Sequence, residues 1–291
     1  MFTGTYTAIV TPFKNGLVDE TAFRKLVEFQ IENGVDGIVP TGTTGEAATL
    51  GFDEHLRVIK VAVEEARGRC KIIAGTGSNS TLEAVELTQA AEKLGVDAAL
   101  LANPYYNKPT QEGVYRHYKQ IAEASPLKLM LYNIPSRTAG EIGVETCARL
   151  AQDCKNIVSI KEAGGSAERV GALKKILPPE FTILSGDDGL TLPFMAVGAV
   201  GVVSVASNVI PRQITDMVNT FLAGRSADAL KIHLRYYQLF KDLFIESNPI
   251  PVKTALYLMG MIENEFRLPL CEIGKTNQGK LYDTLRALKL V

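Results

Sequence analysis

Lys161 closes the apolar run Ile157-Val158-Ser159-Ile160. Burying an ammonium at the end of such a run is costly, so its pKa should fall and a neutral amine becomes available. A neutral amine attacks a ketone to give a Schiff base. The protonated imine is an electron sink, and a methyl carbon beside it loses a proton readily. The competing reading is a lysine paired with a carboxylate at the rim of a fold. Glu162 is not an obvious partner, because adjacent strand residues point to opposite faces. Thr43 and Thr44 lie between Gly42 and Gly45. Glycines let a backbone approach a ligand closely, and two hydroxyls with neighbouring N–H groups can hold a carboxylate; an ordinary tight turn would read the same way. Tyr132 and Tyr106 offer phenols that can relay protons through a hydroxyl such as Thr43, or simply pack as rim aromatics. Arg137, in the Pro-Ser-Arg-Thr stretch, can grip a carboxylate in bidentate fashion or stand as a surface charge.

These residues need a scaffold that gathers strand ends. Short, largely apolar runs recur at Ala8-Ile9-Val10, Gly37-Ile38-Val39, Lys71 to Ala74, Ala98 to Leu101, Lys128 to Tyr132, Ile157 to Lys161, Phe181 to Leu184 and Val200 to Ser204. Runs without long polar alternation read as strands covered on both faces, as in parallel sheets. The intervening segments carry helical periodicity, with starts at Asp19, Asp53 and Ser80 and stops at Gly34, Gly68 and Gly95. The seventh helix, near Leu190 to Val197, contains Pro193, tolerable in a first turn. Eight strand–helix units predict a (β/α)8 barrel over residues 1–224, with residues 225–291 as a C-terminal helical extension. An open doubly wound sheet would usually show a Gly-rich loop after the first strand, and Thr11-Pro12-Phe13 is nothing like one. Barrel enzymes hold their sites at the carboxyl ends of the strands, where all of the residues above fall.

The 291 residues carry 31 basic and 32 acidic side chains without a basic block, which leaves no electrostatic footprint for nucleic acid. Cys70, Cys147, Cys154 and Cys271 fit neither a disulfide framework nor a zinc site, and a reducing compartment is the easier reading. No signal peptide and no membrane span stands out, so a cytoplasmic protein is expected. His55, His117 and His233 lack ligand-type spacing. The Asp187-Asp188 pair reads as a cap for the next helix rather than a metal site, and no metal or cofactor is expected.

Seven stretches in order, from Thr11-Pro12-Phe13 through Gly42-Thr43-Thr44-Gly45-Glu46, Pro104-Tyr105-Tyr106-Asn107, Tyr132-Asn133-Ile134-Pro135-Ser136-Arg137, Ile160-Lys161-Glu162-Ala163 and Ser185-Gly186-Asp187-Asp188 to Asn248-Pro249-Ile250-Pro251-Val252-Lys253, resemble the dihydrodipicolinate synthase family, within the lysine-dependent pyruvate aldolases. The resemblance runs from end to end of the chain. It implies condensation of pyruvate with L-aspartate 4-semialdehyde, the first committed step towards diaminopimelate and lysine. It implies Lys161 as imine carrier, Tyr132, Thr43 and Tyr106 as proton relay, and Thr44 on the pyruvate carboxylate. Arg137 would bind the semialdehyde carboxylate, and Gly186 and Val203 would line the pocket through their backbones. Tyr106 would enter a neighbouring subunit's site, making a dimer the minimal unit of a tetramer built as a dimer of dimers. Sialic-acid lyase relatives usually carry Ser-Thr at Thr43-Thr44 and lack an equivalent of Arg137; a sugar-acid or hydroxyproline-pathway aldolase is the runner-up. A non-catalytic binding barrel is the reading from another class, opposed by retention of the site residues. Some members bind L-lysine at a dimer-interface cleft, and His55, Asn79, Glu83 and Tyr105 match positions used there. Phe52 and Ala47 depart from that pattern, which suggests weak-to-moderate inhibition.

Overall fold

The eight apolar runs become eight parallel strands closed into a barrel in the computed structural model, which describes residues 2–291. The strands are β1 (Gly4–Ala8), β2 (Gly37–Val39), β3 (Lys71–Gly75), β4 (Ala98–Ala102), β5 (Lys128–Asn133), β6 (Ile157–Glu162), β7 (Thr182–Ser185) and β8 (Gly201–Ser204). Each hydrogen-bonds to its sequence neighbours, and β8 closes on β1. The first strand lies earlier than the sequence suggested: Ile9 and Val10 follow it, with Ile9 donating its amide to Val39.

The barrel helices are α1 (Glu20–Glu32), α2 (Phe52–Ala66), α3 (Thr81–Lys93), α4 (Gln111–Ala124), α5 (Val144–Asp153), α6 (Ala167–Ile176), α7 (Thr191–Ala196) and α8 (Pro211–Leu222). Asp19 and Ser80 cap α1 and α3, accepting from the amides of Ala22 and Glu83. Gly51, not Asp53, caps α2, and Asp53 sits in the first turn, where its charge favours the helix dipole. Gly34, Gly68 and Gly95 all have positive φ, the left-handed conformation that ends a helix at little cost to glycine. A hairpin, Phe13–Lys14 with Leu17–Val18, was not anticipated although Asn15-Gly16 is a strong signal for one.

Alternation along the strands divides the core. Tyr6, Val39, Ile73, Leu100, Met130, Tyr132, Leu184 and Val203 form one cluster inside the barrel. Ile38, Ile72, Leu101, Leu131, Ile160, Ile183 and Val202 face the helices in a second, larger one. On β6, Ile160 belongs to the outer cluster, so Ser159 and Lys161 face inward. An irregularity opposite Leu129 and Met130 leaves Val158 unmatched, and beyond it Tyr132 pairs with Lys161 and Asn133 with Glu162.

The remaining helices are α9 (Ser226–Asp242), α10 (Ile250–Leu258) and α11 (Lys275–Ala287). The first of them packs on α8, α11 packs on both α9 and α10, and α11 buries Leu281 and Leu285. Between α9 and α10 the chain returns to the barrel mouth. Among the described residues no helix is long and apolar enough to cross a membrane.

Candidate active site

Lys161 is 6% exposed at the end of β6, with its Nζ 4.1 Å from the centroid of the Tyr132 ring. Burial pushes its pKa down to about 7; the charge of Asp188 pulls it back up, and that of Arg137 depresses it further. About half of the amine is therefore neutral near pH 7, whereas a solvated lysine is almost wholly protonated there. Burial likewise pushes the Tyr132 phenol above its ordinary range, partly offset by Arg137. A phenol held protonated beside a neutral amine can donate a proton and take it back.

Gly186 is flush against this lysine. A Cβ there would come 3.0 Å from Lys161 Cε and 2.8 Å from Ala163 Cβ, so only glycine leaves the stem its place. Val203 is fully buried on the inner face of β8. Asp188 is 2% exposed, and it does not cap the next helix as the sequence suggested. Its carboxylate accepts from Ser204 Oγ at 2.5 Å and from the amides of Val205 and Ala206 at 3.0 and 2.9 Å, fixing the turn after β8. Asp187 is the residue that tightens the turn into α7, accepting from the amides of Gly189 and Leu190. Desolvation pushes Asp188 up to about 6, against the pull of those hydrogen bonds.

The second-strand loop forms the opposite wall. Thr41 and Glu46 both take left-handed backbone conformations, so the intervening Gly42-Thr43-Thr44-Gly45 is tightly folded. Gly45 donates to Gly42 at 3.0 Å and accepts from Thr11 Oγ1 at 2.7 Å. Thr44 is buried and its hydroxyl accepts from Asn248 Nδ2 at 2.9 Å. Thr43 is half-buried beside it. Pro40 extends the β2–β3 ladder, its carbonyl accepting from Gly75 at 3.0 Å, and Asn103 does the same for β5 by donating to Tyr132 at 3.0 Å. Glu46 carries the loop's deepest tie, an ion pair with Lys253 Nζ at 2.5 Å in which both side chains are essentially inaccessible.

Arg137 lies on the short helix Pro135–Thr138 and donates to the Asn248 carbonyl at 3.0 Å. Tyr106 stands apart: it is 89% exposed, in a left-handed conformation, on a loop held by Asn79. Asn79 Nδ2 donates to the Tyr105 carbonyl, and Asn107 donates back to the Asn79 carbonyl. Glu83 accepts from Ser78 Oγ and contributes to the field at His55, whose Nε2 is 2.7 Å from the Gly75 carbonyl. His55, Asn79, Glu83 and Tyr105 thus share one side of the barrel mouth, with Tyr105 exposed and His55 buried. Glu162 turns outward to Arg169 and Asn133, as the strand alternation requires. Asn248 and the Glu46–Lys253 pair were assigned no role from sequence; their motifs were visible, but nothing local links positions about 200 apart. Among the described residues no group of three His, Cys, Asp or Glu side chains is arranged to hold a metal ion.

The profile of the dihydrodipicolinate synthetase family matches residues 1–288. A 4-hydroxy-tetrahydrodipicolinate synthase of Persephonella marina is 53% identical over 292 residues, covering all of both chains. The structure of the 4-hydroxy-tetrahydrodipicolinate synthase from Methylacidiphilum fumariolicum superposes with a TM-score of 0.98 at 54% identity, covering 99% of this chain and 96% of that one. The dihydrodipicolinate synthase of Cyanidioschyzon merolae, solved with lysine bound, superposes with a TM-score of 0.97 at 44% identity, covering 100% and 99%.

Proposed function

This chain belongs to the dihydrodipicolinate synthetase family, and on that premise we propose the part that each of its residues plays. The enzyme is a lyase that condenses pyruvate with L-aspartate 4-semialdehyde in lysine biosynthesis. The observation that carries the residue assignment is Lys161 buried at the end of β6 with its amine 4.1 Å from the ring of Tyr132, a setting that lowers its pKa to about 7.

The Lys161 amine attacks the pyruvate carbonyl carbon, and loss of water leaves the protonated imine. A proton leaves the methyl carbon, and the electron pair moves into the imine to give the enamine. The enamine carbon attacks the semialdehyde's aldehyde carbon, and the new alkoxide takes a proton. The semialdehyde's own amine then displaces Lys161 from the imine carbon and closes the ring, giving 4-hydroxy-tetrahydrodipicolinate. Tyr132 carries the protons at Lys161, linked through Thr43 to Tyr106. Thr44 holds the pyruvate carboxylate, and Arg137 the semialdehyde carboxylate. The Gly186 and Val203 backbones line the pocket, with Gly186 leaving room for the lysine stem. Residues 1–224 supply the barrel, and residues 225–291 an extension that shares the same site.

Incubating the protein with pyruvate and borohydride tests this reading directly. Reduction should fix the pyruvate skeleton on Lys161, seen by intact mass and peptide mapping, alongside rapid turnover of the semialdehyde. An adduct without turnover would move the second substrate elsewhere; no adduct would overturn the assignment. The rate of adduct formation should rise through a midpoint near pH 7, because the reacting form is the deprotonated amine of a group lowered to about 7. Below that midpoint the rate should fall about tenfold per pH unit. A midpoint near pH 10 would show a solvated lysine instead.

Tyr106 completes the relay from a neighbouring subunit, which accounts for an aromatic left 89% exposed in one chain. The working assembly is a homotetramer, a dimer of dimers. Mixing Tyr106→Phe with Lys161→Met subunits should restore about a quarter of wild-type activity, the share of complete sites in a random isologous dimer. No restoration after confirmed subunit exchange would place Tyr106 outside the partner's site.

L-Lysine binds near His55, Asn79, Glu83 and Tyr105, with Glu83 facing its ammonium and the Asn79–Tyr105 contact reporting to Tyr106. A relative solved with lysine bound supports lysine as a ligand, and the placement rests on these four residues. Phe52, 47% exposed where a histidine is common, and Ala47 remove polar contacts, so inhibition should be partial and in the millimolar range. A rate unchanged up to millimolar lysine would remove the effector site.

A further inference from the structure

Asn248 touches both side chains assigned to substrate carboxylates, although it lies in the extension, 204 residues from Thr44 and 111 from Arg137. It is 6% exposed. Its Nδ2 donates to Thr44 Oγ1 at 2.9 Å, and its main-chain carbonyl accepts from Arg137 Nη2 at 3.0 Å. Five residues on, Lys253 pairs with Glu46, so the segment bearing Asn248 is fastened to the loop that carries Thr44.

We propose that Asn248 is a positioning residue that sets the donor directions of Thr44 and Arg137 and thereby aligns the two carboxylates for condensation. The proposal rests on the roles given above to those two residues. A hydroxyl has one proton and two lone pairs. With a lone pair occupied by the Asn248 amide, the Thr44 proton is left for an acceptor in the pocket. That polarity suits a carboxylate, which can only accept. A side chain that itself needed a proton from Thr44 would compete with the substrate. At Arg137 the constraint comes from the main chain. One terminal nitrogen is held by the Asn248 carbonyl, and the rest of the planar fork is presented in a fixed orientation. A single residue thus fixes the relative position of two anion-binding groups on β2 and β5 loops. Asn248 Oδ1 is buried and has no hydrogen-bond partner among the described residues. An unpaired buried acceptor is unfavourable, and in this amide orientation it accompanies the Nδ2 bond to Thr44.

The test compares Asn248→Ala and the near-isosteric Asn248→Asp with Thr44→Val and Arg137→Ala, reading KM for each substrate separately from kcat. Asn248→Ala should raise KM for pyruvate by about tenfold, the cost of about one well-placed hydrogen bond, and change kcat by less. Asn248→Asp should do worse, because its carboxylate takes the Thr44 proton and reverses the bond. In a Thr44→Val background Asn248→Ala should add little, since no hydroxyl remains to orient. Full effects of Asn248→Ala in that background, or unchanged KM in both Asn248 variants, would overturn the proposal while Thr44→Val alone still raises KM. Unchanged KM in Thr44→Val and Arg137→Ala would instead remove the underlying site assignment. Asn248→Asp keeps the test decisive if the alanine variant does not fold.

Discussion

Lys161→Met is expected to lower turnover by about 10³-fold or more, the scale seen when a covalent nucleophile is removed and binding groups remain. It should also abolish the borohydride adduct and leave a better-folded protein. Loss of activity follows from the chemistry: methionine has no amine to form the imine. Lys161→Arg should fail equally, since guanidinium stays protonated in any accessible pH range. The gain in stability follows from linkage. Unfolding returns Lys161 to an ordinary lysine pKa near 10.5, whereas in the folded protein it sits at about 7. Between those values the unfolded state binds more protons, so the wild-type protein gains stability as pH rises through that window and is penalised below it. The depression corresponds to about 5 kcal/mol of unfavourable free energy at neutral pH, before any relaxation around the amine. Lys161→Met removes that penalty and keeps an apolar stem of similar length. Its thermal midpoint should exceed that of wild type at pH 7, and the difference should shrink towards pH 10. A variant less stable than wild type at pH 7 would show that the contact with Tyr132 and the charge of Asp188 outweigh burial.

That penalty also explains how much of the site could be read from the sequence. Lys161 announced itself because a charged residue at the end of an apolar strand violates local hydrophobic logic, and such violations concentrate at functional sites. The eight strands were legible for a related reason: parallel strands covered on both faces are short uninterrupted apolar runs. The first was placed too late because Gly4-Thr5-Tyr6-Thr7-Ala8 is poor in branched apolar residues, while Ile9 and Val10 carry the stronger signal just beyond it. Asp188 was misread because Asp before a helical stretch usually caps it; the competing partners, Ser204 and the amides of Val205 and Ala206, come from the next strand end and are brought near only by barrel closure. Asn248 and Lys253 lie in a segment whose local pattern says only helix start. Their partners are fixed by how the extension folds back over the mouth, which no local periodicity encodes.

The extension's contribution is measurable through the Glu46–Lys253 pair. Lys253→Met is expected to destabilise the protein by about 3–5 kcal/mol, because it strands a buried carboxylate. Among the described residues Glu46 is left with only the Arg267 amide, at 3.3 Å. For a chain of this size such a loss lowers the thermal midpoint by roughly 5–15 °C. Glu46→Gln should cost less. Lys253 can shed its proton, since burial already lowers its pKa, and its remaining surroundings, the rings of Phe13 and Phe266 at 4.3 and 4.9 Å, tolerate a neutral amine. The double variant Glu46→Met/Lys253→Met should recover much of the stability lost in Lys253→Met, because a buried ion pair is commonly replaceable by apolar groups of similar size. It should not recover function to the same degree. Glu46 holds a left-handed turn two residues after Thr44, and without the pair the loop loses its tie to the segment carrying Asn248. KM for pyruvate should therefore remain raised in the double variant while its thermal midpoint approaches that of wild type. Thermal unfolding and steady-state kinetics on the same three proteins separate the two effects. A Lys253→Met midpoint within a degree or two of wild type would show that the pair neither holds the fold nor anchors the loop, and KM recovering together with stability would confine it to a purely structural part.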